Sequence, residues 1–304
     1  MVYRKAFLRR GTVLSGPCRP NMVTCDVAKP NQQLGRTQMS ITVNTCGGLG
    51  NQLFQYAFAR SLAGKYSVSL TDACNQYGLQ LNHFNITLPI IPHPGWRWIA
   101  ERSLRFDPSP EIEDNSIIAG YWQTEKYFSH IADTVRAELT LREPLSLAAQ
   151  TAATLISGTP NSVMVHVRRG DYLTWAAQRH GVLPTSYYLE AAKHFPDSHF
   201  FLFSDDSAYH LPFPHTRISC TPYEDLHLMT LCKGAIIANS TLSWWGAWLG
   251  ADKTGGTIVA PKQWFRTGNE DAQDINPERW IKAGPDESTQ LETIRHTTLR
   301  TVVR

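Results

Sequence analysis

No run of 18 apolar residues occurs anywhere in the 304-residue sequence, so no membrane-spanning helix is expected. The six cysteines (Cys18, Cys25, Cys46, Cys74, Cys220 and Cys232) form no Cys-x-x-Cys pair and have no histidine at zinc spacing, which excludes a zinc ribbon or a thioredoxin-type motif. Cys46 and Cys232 lie inside apolar runs, where a thiol packs as a small hydrophobe. The set reads as reduced and the chain as cytoplasmic. On that reading the sequons Asn85-Ile86-Thr87 and Asn239-Ser240-Thr241 are chance matches, since glycosylation needs secretion. The start, MVYRKAFLRRGTVLSG, is basic but lacks the sustained apolar stretch of a signal peptide. Charge is sparse at 18% and apolar residues make up 42%, a balance that excludes disorder, coiled coil and collagen. Repeats and low-complexity tracts are missing as well.

The positive charge is confined. Residues 1–40 hold seven Lys and Arg against the single acid Asp26, while the remainder holds 22 bases and 25 acids. The body is mildly acidic, so the basic pI gives no footprint for nucleic acid. Residues 1–38 show no hydrophobic period and read as an unstructured extension. Residues 286–304 read as a tail.

Between them, strands and helices alternate. Ile41–Cys46 reads as a strand, followed by the glycine-rich Gly47–Gln52 and a helix that is apolar almost all round (Leu53, Phe54, Tyr56, Ala57, Phe58, Leu62). Strand, glycine turn and helix open an α/β unit. The turn lacks both the GxGxxG spacing and a P-loop lysine, which argues against dehydrogenases and Walker NTPases. Tyr66–Leu70 and Ile117–Tyr121 read as strands, Tyr127–Leu141 and Leu145–Ile156 as helices, and 75–115 as irregular, cleft-forming loops. A second unit begins after Gly158-Thr159-Pro160. It has strands at Ser162–Val167, His199–Phe203, Ala235–Ala238 and, last, Thr257–Ala260. Helices are expected at Tyr187–His194 and Tyr223–Cys232, and a Trp-rich one after Asn239-Ser240-Thr241. The division is therefore 39–158 and 159–285, two Rossmann-like halves meeting at a cleft.

Functional groups in such folds sit at the carboxyl ends of parallel strands, and three polar clusters do. His166-Val167-Arg168-Arg169-Gly170-Asp171-Tyr172 ends a buried strand with two guanidiniums, whose donor forks fit phosphate bidentately. A surface turn with one salt bridge is the plainer alternative. Ser204-Asp205-Asp206 could hold a ribose, a base edge or a divalent metal, or cap a helix. Asn239-Ser240-Thr241-Leu242-Ser243 marks a helix N-terminus, a ready anion site or simply a cap. Trp244, Trp245 and Trp248 suit helix packing better than sugar stacking. An arginine pair, a carboxylate pair and a helix N-terminus on one face describe a nucleotide-diphosphate site.

Four blocks, GGLGNQLFQYAFARSLA (47–63), HVRRGDY (166–172), FSDD (203–206) and ANSTLSWWGAWL (238–249), stand in the order found in the α-1,2-fucosyltransferases of glycosyltransferase family 11, which the chain resembles over about residues 40–283. The resemblance implies a GT-B fold of two Rossmann-like domains facing each other across a cleft. It implies transfer of L-fucose from GDP-β-L-fucose to the 2-hydroxyl of a terminal β-galactoside, with inversion and with neither a metal nor any other cofactor. GDP-fucose and the galactoside are then the expected partners, and peripheral contact with a membrane stays open. By the same likeness Arg168 grips the β-phosphate, with Arg169 beside it. His166 lies near the guanosine, and Asp205 or Asp206 binds the guanine edge. Ser240, Thr241 and Ser243 help hold phosphate, while Gly48, Gly50 and Asn51 face the donor from the other half. Asp171 either accepts the acceptor's proton or orients the arginines. The alternatives are a carbohydrate-binding protein of the same fold without catalysis, and a transferase of another GDP-sugar.

Overall fold

The computed structural model describes residues 38–72, 75–266 and 269–284. The expected extension and tail, and Cys18, Cys25 and Cys74, lie outside them apart from residue 38. All strand pairing within the two sheets is parallel. In the first sheet β1 (Ser40–Asn44) is buried from Ile41 onward, and α1 (Leu49–Leu62) crosses over to β2 (Ser67–Thr71). With β3 (Arg97–Ala100) and β4 (Ser116–Ala119) the order is β2-β1-β4-β3. Helices α2 (Ala132–Glu138) and α3 (Leu147–Ser157) lead to the second sheet.

At the heart of that sheet is β5 (Ser162–Val167), whose six residues are all buried, as expected of a parallel strand covered on both faces. Next come α4 (Thr185–Ala192), β6 (His199–Ser204), β7 (Thr216–Ile218), α5 (Pro222–Thr230), β8 (Gly234–Ile236), α6 (Thr241–Leu249), β9 (Ile258–Pro261) and β10 (Ile281–Ala283). The order is β10-β9-β8-β5-β6-β7. Two parallel α/β sheets agree with the expected fold class. Among the described residues no helix is long and apolar enough to cross a membrane.

Four expectations need correction. The 75–115 stretch is not wholly irregular, because it contains β3; β7 was not anticipated; and β10, not 257–260, is last. All three unforeseen strands are sheet edges. An edge strand covers less of itself, and in β3 only Ile99 is buried, so no apolar run announces it. The helix expected over Tyr127–Leu141 is broken at its start into two short 3₁₀ turns, and only 132–138 is α-helical. Tertiary packing decides this. Phe128 leaves the helical path to stack on Trp245 at 5.4 Å and 16°, with Phe54 at 6.2 Å.

Those rings belong to a core shared by both sheets, running from Ile41 and Val43 through Phe54 to Trp244, Met164 and Phe201. Trp244, Trp245 and Trp248 are fully buried, and each indole N–H has an acceptor: Ile275 O at 2.8 Å, Gly50 O at 3.0 Å and Glu125 Oε2 at 2.9 Å. A buried indole needs such a partner for its polar end. The tryptophans thus pack the helix, as the sequence suggested.

Candidate active site at the strand ends

The carboxyl end of β5 carries the arginine pair, and β6, its hydrogen-bonded neighbour, ends beside it. Val167 is in register with Ser204, so Arg168 and Arg169 emerge opposite Asp205 and Asp206. Arg168 Nη1 lies 3.1 Å from Asp205 Oδ2, and Nη2 lies 2.7 Å from Asp171 Oδ1. Arg169 Nε donates to Asp206 Oδ2 at 2.8 Å, and its backbone N–H donates to Asp205 Oδ1 at 2.8 Å. Gly170 makes this tightness feasible: a Cβ there would lie 2.6 Å from Asp205 Oδ2. The Arg168 guanidinium also stands 5.6 Å from the Tyr172 ring and that of Arg169 4.9 Å from Tyr209, contacts that further restrict both forks.

The acidic pair therefore serves the arginines. The hydrogen bond from Arg169 is the leading reason the Asp206 carboxyl lies below its ordinary range. Asp171 likewise faces Arg168, so of its two foreseen jobs the geometry displays the orienting one. Arg169 pairs with Asp206 and not with Asp171.

His166, inside β5, is 4% exposed, with Nδ1 buried and unpartnered among the described residues. Burial, then the nearby Arg168 charge, pushes its pKa down to about 3, so the ring is neutral. His180, stacked on Tyr172 at 4.5 Å, is lowered to about 4, first by burial and then by Arg179.

The third cluster ties the halves together. Tyr172 OH donates to Asn239 O at 2.8 Å, and Asn239 Nδ2 donates to Trp264 O at 3.1 Å and His180 O at 3.0 Å. The Asn239 sequon is accordingly buried. Ser240 precedes α6 without a side-chain cap. Thr241 Oγ1 donates to Asn51 Oδ1 at 3.0 Å, and Gln123 Nε2 donates to the same oxygen at 2.9 Å. The N-termini of α1 and α6 thus meet, two positive dipole ends side by side.

Two residues expected at the donor are packed within the protein. Ser243 is wholly buried and its hydroxyl donates to Ser240 O at 3.0 Å, spent on the turn below it. Gly50 is packed: its Cβ would stand 2.5 Å from Leu242 N and the Thr241 carbonyl carbon, so glycine is what lets the helices approach. Gly48 has nothing within 4 Å of its Cβ position and is the open part of the loop. Sequence reasoning missed Gln123, which has no motif around it, and Glu101, which directly follows the unforeseen β3. Among the described residues no three His, Cys, Asp or Glu side chains are grouped to hold a metal ion.

Two parallel sheets, with an arginine pair braced by carboxylates at one set of strand ends, define an α/β protein. Residues 110–283 match the description of glycosyl transferase family 11, and the chain belongs to that family. It is 32% identical over 290 residues to an α-1,2-colitosyltransferase of Escherichia coli, covering 80% of this chain and 99% of the relative. It is 29% identical over 241 residues to a galactoside α-(1,2)-fucosyltransferase 1 of Alouatta belzebul, covering 70% and 66% respectively. A likeness in shape to the fucosyltransferase NodZ from Bradyrhizobium has a TM-score of 0.49 at 14% identity, covering 70% of this chain and 94% of that one.

Proposed function

We propose that this glycosyltransferase moves L-fucose from GDP-β-L-fucose to the 2-hydroxyl of a terminal β-galactoside, inverting the anomeric centre and using no metal. The observation that carries the reading is Arg168, fixed between Asp171 and Asp205 with its side chain one-third exposed. Departure of GDP builds negative charge on the β-phosphate while the sugar becomes oxocarbenium-like. Donors already in place stabilise that charge without reorganising at the moment of reaction. Arg168 and Arg169 supply charged donors, and the N-terminus of α6 adds backbone N–H groups. Three carboxylates around two arginines hold the forks while leaving donor positions for phosphate.

A second reading, transfer of colitose, is favoured by the name of the 32%-identical relative. Both are tested by GDP release with each nucleotide sugar and lactose, with the linkage of the product assigned by NMR. GDP-fucose turnover with an α-1,2 product supports the first. Turnover only with the colitose donor replaces it, and release with neither refutes both.

A further inference from the structure

Beyond the arginine cluster, a cavity of about 290 Å³ opens between the segment after β3 and the segment after β4. Its wall includes Glu101, Phe106, Trp122 and Tyr127. Glu101 stands at the carboxyl edge of the first sheet, one residue past β3. Its carboxylate accepts from Tyr121 N at 2.7 Å and Trp122 N at 3.1 Å, one bond to each oxygen. These bonds hold the carboxylate in place and leave each oxygen capacity for another partner.

Trp122 is 3% exposed, and its indole N–H is buried with no partner among the described residues. A methyl group on Gly120 would lie 2.8 Å from Glu101 Oε2 and 2.9 Å from Trp122 Cε2. Glycine is therefore needed at 120 for Glu101 and Trp122 to pack this closely. Glu101 thus stands on the cavity wall as a fixed acceptor for a hydroxyl proton. Phe106 and the rims of Trp122 and Tyr127 make part of the wall apolar.

Hydrogen bonds also link the cavity wall to the start of α6. Residue 122 is bonded to Glu101, and its neighbour Gln123 reaches Asn51, which bonds Thr241 at the start of α6. Asp171, the carboxylate first expected as a base, is engaged by Arg168.

Resting on the fucosyl-transfer reading, we propose that Glu101 is the catalytic base and that the cavity beside it binds the acceptor sugar. The acceptor oxygen bonds to the anomeric carbon while its proton passes to a Glu101 oxygen. The bond from that carbon to the β-phosphate oxygen breaks, and its electron pair leaves with GDP. Glu101 then returns the proton to water.

The carboxyl is matched to this work. Burial raises its pKa to about 7 against the two backbone N–H bonds, which pull it down. The surrounding charges come in pairs: Arg102 with Glu111 at 3.1 Å, Arg105 with Asp271 at 3.8 Å, and Lys126 with Asp274. Asp107 and the Tyr127 hydroxyl complete the surroundings. A base works deprotonated, so transfer should rise with pH through about 7.

The test compares wild type, Glu101→Gln and Glu101→Ala, using GDP release with lactose from pH 5 to 9 and GDP binding by calorimetry. Wild type should show a limb rising through pH 7. Glu101→Gln should bind GDP within about twofold of wild type, lose about 10²–10⁴ in kcat and lose the limb. Azide, a nucleophile with no proton to lose, should restore donor turnover in Glu101→Ala and yield the glycosyl azide. A wild-type rate flat across pH 7, or Glu101→Gln turning over normally, overturns Glu101 as base and leaves the transferase reading standing. The flat profile decides even if the variants fail to fold. Wild type inert toward every nucleotide sugar overturns the function, and the base with it.

Discussion

Replacing Arg168 by lysine keeps the charge and removes the fork. In the structure one guanidinium spans two carboxylates, with separate nitrogens toward Asp171 at 2.7 Å and Asp205 at 3.1 Å. An ammonium is a single point on a flexible stem and cannot hold that bridge while presenting a second donor to phosphate. Loss of one preorganised donor costs about 10²–10³ in rate, roughly 2.7–4 kcal/mol at the transition state. The folded state should feel far less. The Arg168 side chain is 35% exposed, so solvent screening leaves its ion pairs worth about 1 kcal/mol or less, a melting shift of about 2–4 °C. Arg169→Lys should be milder, because Arg169 has one side-chain carboxylate partner, Asp206, and lies against Tyr209. GDP release gives the rate, and thermal shift with added GDP shows whether phosphate binding weakens in parallel. Near-normal transfer by both variants would mean that the arginines only brace the two strand ends. A larger loss in Arg169→Lys would mean their roles are exchanged.

Gly50→Ala should destabilise by about 1–3 kcal/mol, since its methyl would meet α6 backbone at 2.5 Å; an unchanged urea midpoint would contradict the tight α1–α6 crossing. His166, held neutral with a pKa of about 3 in the fold, gains a proton on unfolding below about pH 6.5. Its stabilisation is therefore full above pH 6.5 and declines as pH falls, by about 1.4 kcal/mol per unit. Urea titrations at pH 7 and 5 should show that loss, and His166→Gln should reduce it; equal slopes in the two proteins would refute the assignment. Turnover should survive EDTA, given guanidinium and helix donors for the diphosphate. Activity abolished by chelation and restored by Mn²⁺ would show that a metal carries the leaving group instead.

Local chemistry made much of this architecture legible in the chain itself. Ser162–Val167 is apolar and β-branched because a central parallel strand has no solvent face, and the fold places β5 over those same residues. The Gly-rich turn after β1 and the polar residues after β5, β6 and β8 also stand where their sequence implied. Side-chain periodicity is visible without coordinates, since it depends only on each residue and its near neighbours. Edge strands β3, β7 and β10 escaped because their pairing is one-sided and leaves little apolar record. The break at Phe128 escaped because its cause is a tryptophan more than a hundred positions away.

The site's internal accounting was decided only in three dimensions. Register between β5 and β6 brings Arg169 to Asp206 across 37 positions, so that a carboxylate pair read from sequence alone is seen to brace the arginines. The Gly50–Thr241 crossing packs a glycine that the family resemblance set facing the donor. Glu101, in a stretch with no readable motif, gains its raised pKa from burial, held against the pull of two amides twenty and twenty-one residues on. Spacing tells which groups can reach a strand end. Desolvation and partner choice depend on chain segments far apart in sequence, and only the packed fold brings those together.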